Sequence, residues 1–231
     1  MTAERQLGRV FVTGGASGLG AAVVAAVEKA GGHPAVLDLA PPDRPVPHVE
    51  VDLSDTAATA EAVQRLAREF GPPQSVVTAA GTDSCGPLDE VSAEDWDRVV
   101  KVNLLGTAAV VRAALPHLRE THGTVVTVAS TLGMRPAGDA TAYCASKHGV
   151  VGFSRALAME LAGSVGVTMV VPGGMRTAFF DGRDEKYQPA PDAELNDPAD
   201  VADLIVMALR QALGCEVREL LVAPSTDPSW P

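Results

Sequence analysis

Short apolar runs alternate with longer stretches of helical periodicity along nearly the whole of this chain. RVFVTG reads as a short buried strand, and a helix from about Leu19 to Ala30 follows, stopped by Gly31-Gly32. HPAVLDL is a second strand and HVEVDL a third. Ser54 offers an N-cap for a helix to about Phe70, with Gly71-Pro72-Pro73 as its stop. SVVTAAG is a fourth strand, after which Ser92 and Asp95 have capping-box spacing and open a long helical region to about Arg119. GTVVTVAS is a fifth strand, Tyr143 to about Leu161 a helix, and VGVTMVVPGG a sixth strand. Asp197-Pro198 starts a helix to about Leu213, and ELLVAP closes the series.

Apolar strands alternating with helices predict an α/β fold, a doubly wound parallel sheet with helices on both faces. No internal repeat or long linker divides the chain, so residues 1–231 read as one domain. The stretch from Ala178 to Asn196, rich in Pro and charge, breaks the rhythm and is the natural lid over a site.

Composition narrows the partners. Apolar residues make up 46% of the chain but fall in broken runs, without the uninterrupted stretch of about 18 that a membrane span needs. The first dozen residues lack a signal-peptide pattern, and Cys85, Cys144 and Cys215 are odd in number and far apart. A cytoplasmic protein without structural disulfides is the expectation. A net charge of −11 argues against nucleic acid and anionic membranes as partners. His33, His48, His117, His122 and His148 are scattered, and no metal site is expected.

Chemistry concentrates in two places. TGGASGLG at residues 13–20 joins the first strand to the first helix. Glycines there allow a tight turn and close backbone approach to a pyrophosphate, whose charge the helix N-terminus meets. Asp38 ends the second strand, where a dinucleotide's ribose would lie. The second place is Tyr143 with Lys147 one helical turn on, preceded by Ser130 and Asn103. An ordinary phenol has a pKa of about 10, so making it a base near neutrality takes about 4 kcal/mol. An ammonium about 4 Å away at an effective dielectric near 20 supplies roughly that much. Ser130 ends the fifth strand, at the edge where open α/β sheets bind ligands, and can bond a substrate oxygen.

With these motifs in place, the chain resembles the short-chain dehydrogenase/reductase family over about residues 8 to 224, which implies a Rossmann-type domain and hydride transfer. The resemblance assigns Gly14, Ser17, Gly18, Leu19 and Gly20 to the cofactor turn, and Asp38 and Leu39 to the ribose. It assigns Asp52 and Leu53 to the adenine ring, Ala79-Ala80-Gly81 to the cofactor wall, and Pro172, Gly173 and Thr177 to the nicotinamide carboxamide. Asn103, Ser130, Tyr143 and Lys147 align with the family's catalytic tetrad. Tyr143 would be the general acid/base, Lys147 would lower its pKa and bind the ribose, Ser130 would orient the substrate oxygen, and Asn103 would hold a water. Where the family has Asn-Ala-Ala-Gly, this chain has Thr78-Ala79-Ala80-Gly81, which puts a tie between strands in doubt.

Asp38, with no cation in the glycine turn, favours NAD over NADP. The expectation is an NAD-dependent oxidoreductase for a secondary alcohol or ketone, its pocket shaped by Met134, Arg135 and the lid. An NADPH-dependent 3-oxoacyl reductase is disfavoured, since residues 178–203 carry eight acidic side chains against Arg183 and Lys186 and would repel an acidic carrier. A non-catalytic sensor would not need Tyr143, Lys147 and Ser130 together. Cys144 reads as a small core residue, His148 as a helix-surface residue, and Trp96 and Trp230 as packing or interface aromatics. The helices carrying Val99, Val102, Val110 and Val111, and Val150, Val151, Phe153 and Leu157, are apolar on more than one face, and with the resemblance this predicts a homotetramer.

Overall fold

A computed structural model describes residues 5–227. Its strands are β1 (Arg9–Thr13), β2 (His33–Asp38), β3 (His48–Glu50), β4 (Ser75–Thr78), β5 (Thr124–Val128), β6 (Gly166–Pro172) and β7 (Glu219–Val222). They form one parallel sheet in the order β3-β2-β1-β4-β5-β6-β7. β1 pairs with β2 on one side (Val10 beside Pro34) and with β4 on the other (Val10 beside Ser75). The chain therefore reverses its winding between β1 and β4, and that reversal opens a crevice at the carboxyl ends of the strands.

The helices are α1 (Gly18–Lys29), α2 (Thr56–Phe70), α3 (Ala93–Val100), α4 (Thr107–Thr121), α5 (Thr141–Glu160) and α6 (Pro198–Leu209). α1 and α6 pack together over one face, where Val10, Val12, Val23, Val27, Val201 and Ile205 form a closed core. The other face holds Phe11, Leu37, Leu66, Val110, Leu118 and Leu161 from the sheet, α2, α4 and the end of α5. Because both faces are covered, β4 is buried at every residue and shows no in–out alternation.

Local chemistry sets the element ends. Asp55, not the expected Ser54, caps α2: its carboxylate accepts from the Ala57 and Ala58 amides at 3.0 and 2.9 Å. The Ser54 amide instead donates to Asp52 Oδ1 at 2.8 Å, so the cap moves one residue along. Ser92 caps α3 as expected, accepting from the Asp95 amide and donating to its carboxylate. Asp197 caps α6 through the Ala199 amide. The helical region from α3 to α4 is interrupted by a π turn at Lys101–Gly106, which periodicity did not reveal.

By length and composition alone, Ala93–Thr121 could cross a membrane. Here Val110, Val111, Ala114 and Leu118 face the sheet, as the core helix of an α/β domain requires. The positions that predicted assembly are largely spent the same way. Val99, Val102, Val110, Val111, Val150, Val151 and Leu157 are buried in the chain's own core, and Phe153 is partly so. Trp96 donates from its indole to Thr141 Oγ1 at 3.1 Å, His148 bonds the Cys144 carbonyl on its own helix, and Cys144 is buried. Trp230 lies outside the described residues.

Candidate active site

A cavity of about 860 Å³ fills the crevice at the strand ends. Its floor is the glycine turn. A methyl group on Gly14 (φ +70°) would lie 2.7 Å from the Ala80 Cα, and one on Gly20 would collide with the Gly14 carbonyl. The turn is therefore pressed against Ala79 and Ala80 at the end of β4, and only glycine fits. Ser17 precedes α1 without spending its side chain on a cap, so the first amides of α1 near Gly18 and Leu19 lack a side-chain partner. An anion can be met there by backbone N–H groups and by the helix dipole.

Asp38 reaches the cavity from the end of β2. Its Oδ2 accepts from the Ala16 amide at 2.9 Å and its Oδ1 from the Ala40 amide at 3.1 Å, so it also braces the glycine turn. Each oxygen keeps a lone-pair site for a further donor. Leu39 beside it is 53% exposed at the rim. Asp52 lies further along the wall with buried Leu53, and pairs with Arg98 at 3.1 Å. Burial works against its charge, but hydrogen bonds from Ser54 and the Arg98 guanidinium hold the Asp52 carboxyl below its ordinary value.

The opposite wall carries the tetrad. Ser130 follows β5, is 8% exposed, and accepts from the Leu132 amide at 3.1 Å, which leaves its own O–H free to donate. Tyr143 and Lys147 project from α5 into the same cavity, with the Lys147 ammonium 5.6 Å from the Tyr143 ring centre. Lys147 Nζ donates to the Val128 carbonyl at 2.9 Å and is almost wholly buried. Asn103 sits in the π turn. Its Nδ2 donates to the Thr82 carbonyl (2.9 Å) and the Ser146 hydroxyl (3.0 Å), while its Oδ1 accepts from the Thr82 amide at 2.8 Å. Asn103 thus clamps the loop after Gly81, and Gly81 faces both Asn103 Oδ1 and Lys147 Nζ.

The electrostatics of Tyr143 are dominated by burial, which the sequence expectation for the Lys147 charge did not count. Burial pushes the Tyr143 phenol up to about 12, with the Ser130 hydroxyl and Arg183 opposing and Asp83 adding to the rise. Burial also draws the Lys147 ammonium down to about 8, against the pull of Asp83. In this geometry burial outweighs the Ser130 hydroxyl and Arg183, and it favours the protonated phenol, which can donate to a substrate oxygen.

Pro172, Gly173 and Thr177 close the cavity beyond β6. Thr177 Oγ1 accepts from the Phe179 amide, and the Thr177 side chain faces Gly18 across the gap. The doubt over Thr78 is resolved structurally. Its hydroxyl is buried without a hydrogen-bond partner, and the tie between strand ends is made by Thr13 Oγ1, which accepts from the Ala80 amide.

The lid contributes Phe179, Phe180, Arg183 and residues 192–195 to the cavity, whereas Met134 and Arg135 do not line it. Met134 packs beneath, against the cluster of Val150 and Met169, and Arg135 is exposed. Sequence reasoning missed Asp83, which pairs with Arg183 at 3.2 Å inside the cavity. The two lie a hundred positions apart, and neither belongs to a motif. Among the described residues no group of three His, Cys, Asp or Glu is placed to hold a metal ion.

The glycine cradle, the free helix start, Asp38 and the buried lysine fit a nicotinamide dinucleotide lying from Asp52 across to Tyr143. The comparisons agree with that geometry. The family model for short chain dehydrogenase matches residues 9–188. A (2S)-[(R)-hydroxy(phenyl)methyl]succinyl-CoA dehydrogenase subunit of Thauera aromatica is 36% identical over 163 residues, covering 67% of this chain and 65% of its own length. A 2-dehydro-3-deoxy-L-rhamnonate dehydrogenase (NAD(+)) of Sphingomonas sp. is 37% identical over 172 residues, covering 70% of this chain and 69% of its own. The solved structure of an alcohol dehydrogenase from Thermococcus sibiricus, complexed with 5-hydroxy-NADP, superposes with a TM-score of 0.81 at 22% identity, covering 92% and 94% of the two chains. The matched model spans most of the chain, from β1 through the tetrad into the lid, and this protein belongs to the short-chain dehydrogenase family.

Proposed function

We propose that this protein is an NAD-dependent oxidoreductase interconverting a secondary alcohol and a ketone, with Tyr143 as general acid/base. One observation carries the reading: the Ser130 and Tyr143 hydroxyls and the Lys147 ammonium share one cavity with the glycine cradle. When bound, the nicotinamide supplies the hydride acceptor or donor. The chain's residues manage the oxygen. In reduction, Ser130 donates a hydrogen bond to the carbonyl, and the neutral Tyr143 gives up its proton as the carbon receives the hydride pair. In oxidation the hydroxyl proton passes back to Tyr143 as the hydride leaves carbon. Lys147 adds positive charge beside the phenolate formed in reduction, and its N–H groups would bind the ribose. Asn103 fixes the Thr82 loop, against which the nicotinamide end would lie.

Asp38 favours NAD(H), because its carboxylate accepts from ribose hydroxyls and repels a 2′-phosphate. The relatives are divided on this point in their names, one carrying NAD(+) and one structure a NADP derivative. Three free cysteines suit a reducing, cytoplasmic compartment. Tyr143→Phe removes only the hydroxyl. Turnover is expected to fall by roughly 10²–10⁴-fold while NADH binding, read by fluorescence, persists. Comparable turnover in variant and parent would overturn the mechanism. The assembly proposed is a homotetramer, resting on family resemblance and on exposed Leu105 and Met159 along the α3–α4 and α5 side. A monomer mass by light scattering at micromolar concentration rules it out.

A further inference from the structure

Facing the reaction centre across the cavity stands a charged pair that the hydride-transfer reading does not use. Arg183 reaches in from the lid and lies over both Phe179 (4.6 Å) and Phe180 (4.8 Å). Phe179 in turn packs against the Tyr143 ring at 5.7 Å. The guanidinium is thus one aromatic ring away from the proposed acid/base. Its partner Asp83 comes from the loop after β4 that Asn103 clamps one residue upstream through Thr82. The Arg183 side chain is 16% exposed and the Asp83 side chain 5%.

The pair is close but not spent. Arg183 Nη2 lies 3.2 Å from Asp83 Oδ2, yet it is buried and makes no directed hydrogen bond. Asp83 accepts from the Ser84 amide through Oδ1 and from the Cys85 thiol through Oδ2, which leaves acceptor sites open on both oxygens. A buried donor beside a buried acceptor, each with capacity left, asks for a group that can both give and take a hydrogen bond. A carboxylate or phosphate only accepts and would meet Asp83 with repulsion. An ammonium only donates and would meet Arg183. A ketone or ether oxygen only accepts and leaves Asp83 unused. A hydroxyl does both.

The other charges agree. The cavity's remaining cations are engaged, Arg98 by Asp52 and Lys147 by the Val128 carbonyl, while the lid adds Asp192 and Glu194 to the lining. An anionic substrate would meet the carboxylates of Asp83, Asp192 and Glu194 in the lining.

We propose that Asp83 and Arg183 form a second substrate subsite that holds a non-reacting hydroxyl, so that the substrates are neutral diols or polyols with a second hydroxyl within a few carbons of the reacting one. This rests on the hydride-transfer reading for the reacting hydroxyl, but its own content is recognition. One hydroxyl loses a proton to Tyr143 and a hydride from its carbon to the nicotinamide. The other donates to Asp83, accepts from the Arg183 guanidinium and is unchanged.

The test pairs cyclohexanol with cis-1,2-cyclohexanediol, and 2-butanol with 2,3-butanediol, in NAD reduction. The parent is expected to favour each diol in kcat/KM, and Asp83→Asn to reduce that preference by roughly ten- to a hundredfold, as loss of a hydrogen bond to a charged group does. Arg183→Lys, which keeps charge but loses the fork, should fall between them. Equal losses on mono-ol and diol would show a lid latch only, and diols no better than mono-ols in the parent would overturn the subsite directly. Binding is read separately from turnover in Tyr143→Phe, by the thermal shift that the diol adds in the presence of NADH. A shift that Asp83→Asn abolishes supports the subsite even if no alcohol is oxidised, an outcome that would sink hydride transfer alone. No diol-dependent shift with Asp83 present overturns the subsite whatever the turnover. Should Asp83→Asn fail to fold, Arg183→Lys carries both measurements.

Discussion

Asp38→Asn puts the cofactor choice on a measurable scale. The Asp38 carboxylate accepts from the Ala16 amide at 2.9 Å and the Ala40 amide at 3.1 Å while lining the cavity. An amide side chain keeps one acceptor oxygen and turns its NH₂ toward the other backbone donor. One loop bond is lost, at a cost of about 1–3 kcal/mol in local order. Against a 2′-phosphate the arithmetic is larger and of opposite sign. A unit pair at about 4 Å is worth about 1 kcal/mol in bulk water and about 4 at an effective dielectric of 20. Asp38 is only partly buried, so the lower figure governs, and a phosphate near charge −2 meets roughly 2 kcal/mol of repulsion. That corresponds to about 30-fold discrimination against NADP(H). The assay is kcat/KM for NAD and NADP with one alcohol, at low and high salt. The NAD-to-NADP ratio should fall at least tenfold in Asp38→Asn, and the parent's ratio should shrink as salt screens the repulsion. A ratio that ignores both the substitution and the salt refutes the electrostatic argument, leaving Asp38 as a brace for the glycine turn.

Two further outcomes follow from buried polar groups. Thr78→Val replaces a buried hydroxyl that lacks a partner by a methyl of the same shape, so urea unfolding should show a gain of about 1–2 kcal/mol, and a loss would mean the hydroxyl is satisfied. Lys147 is drawn down from 10.5 to about 8 in the folded chain, so between those values the unfolded chain binds more protons and folding gains stability as pH rises. Urea unfolding at pH 8 and pH 10 should therefore show the parent gaining about 2 kcal/mol relative to Lys147→Met, and parallel shifts in the two proteins would refute the depressed ammonium.

The strands and the helix order were legible because a sheet covered on both faces needs apolar runs such as SVVT and GTVVTV, and these stand out against amphipathic helices. Positions finer than one residue were not. In the run Asp52-Leu53-Ser54-Asp55 three side chains can cap a helix, and only the chain's path decides that Asp55 does it while Asp52 holds Ser54. The tetrad was legible as a motif, but its energetics were not, since spacing along α5 gives the neighbour and not the desolvation that raises Tyr143. Apolar positions on α3, α4 and α5 suggested a surface to spare, yet α4 packs on α2 and the sheet, and α3 packs on α5, which buries most of them. The Asp83–Arg183 pair was invisible because its two halves meet only when the lid folds back over the β4 loop.

The π turn at Lys101–Gly106 makes the catalytic wall and the core answerable to one another. It accommodates an extra residue within an otherwise helical run, and Asn103 sits inside it. Straightening the run by deleting one residue would rotate everything beyond it by about 100°. The stripe of Val110, Val111, Ala114 and Leu118 would swing off the sheet, so a change meant only to move Asn103 would be felt as a fault in the core. Drift at this wall is therefore confined to exchanges of one side chain for another, while gains and losses of length are left to the lid, whose outer residues carry no such stripe.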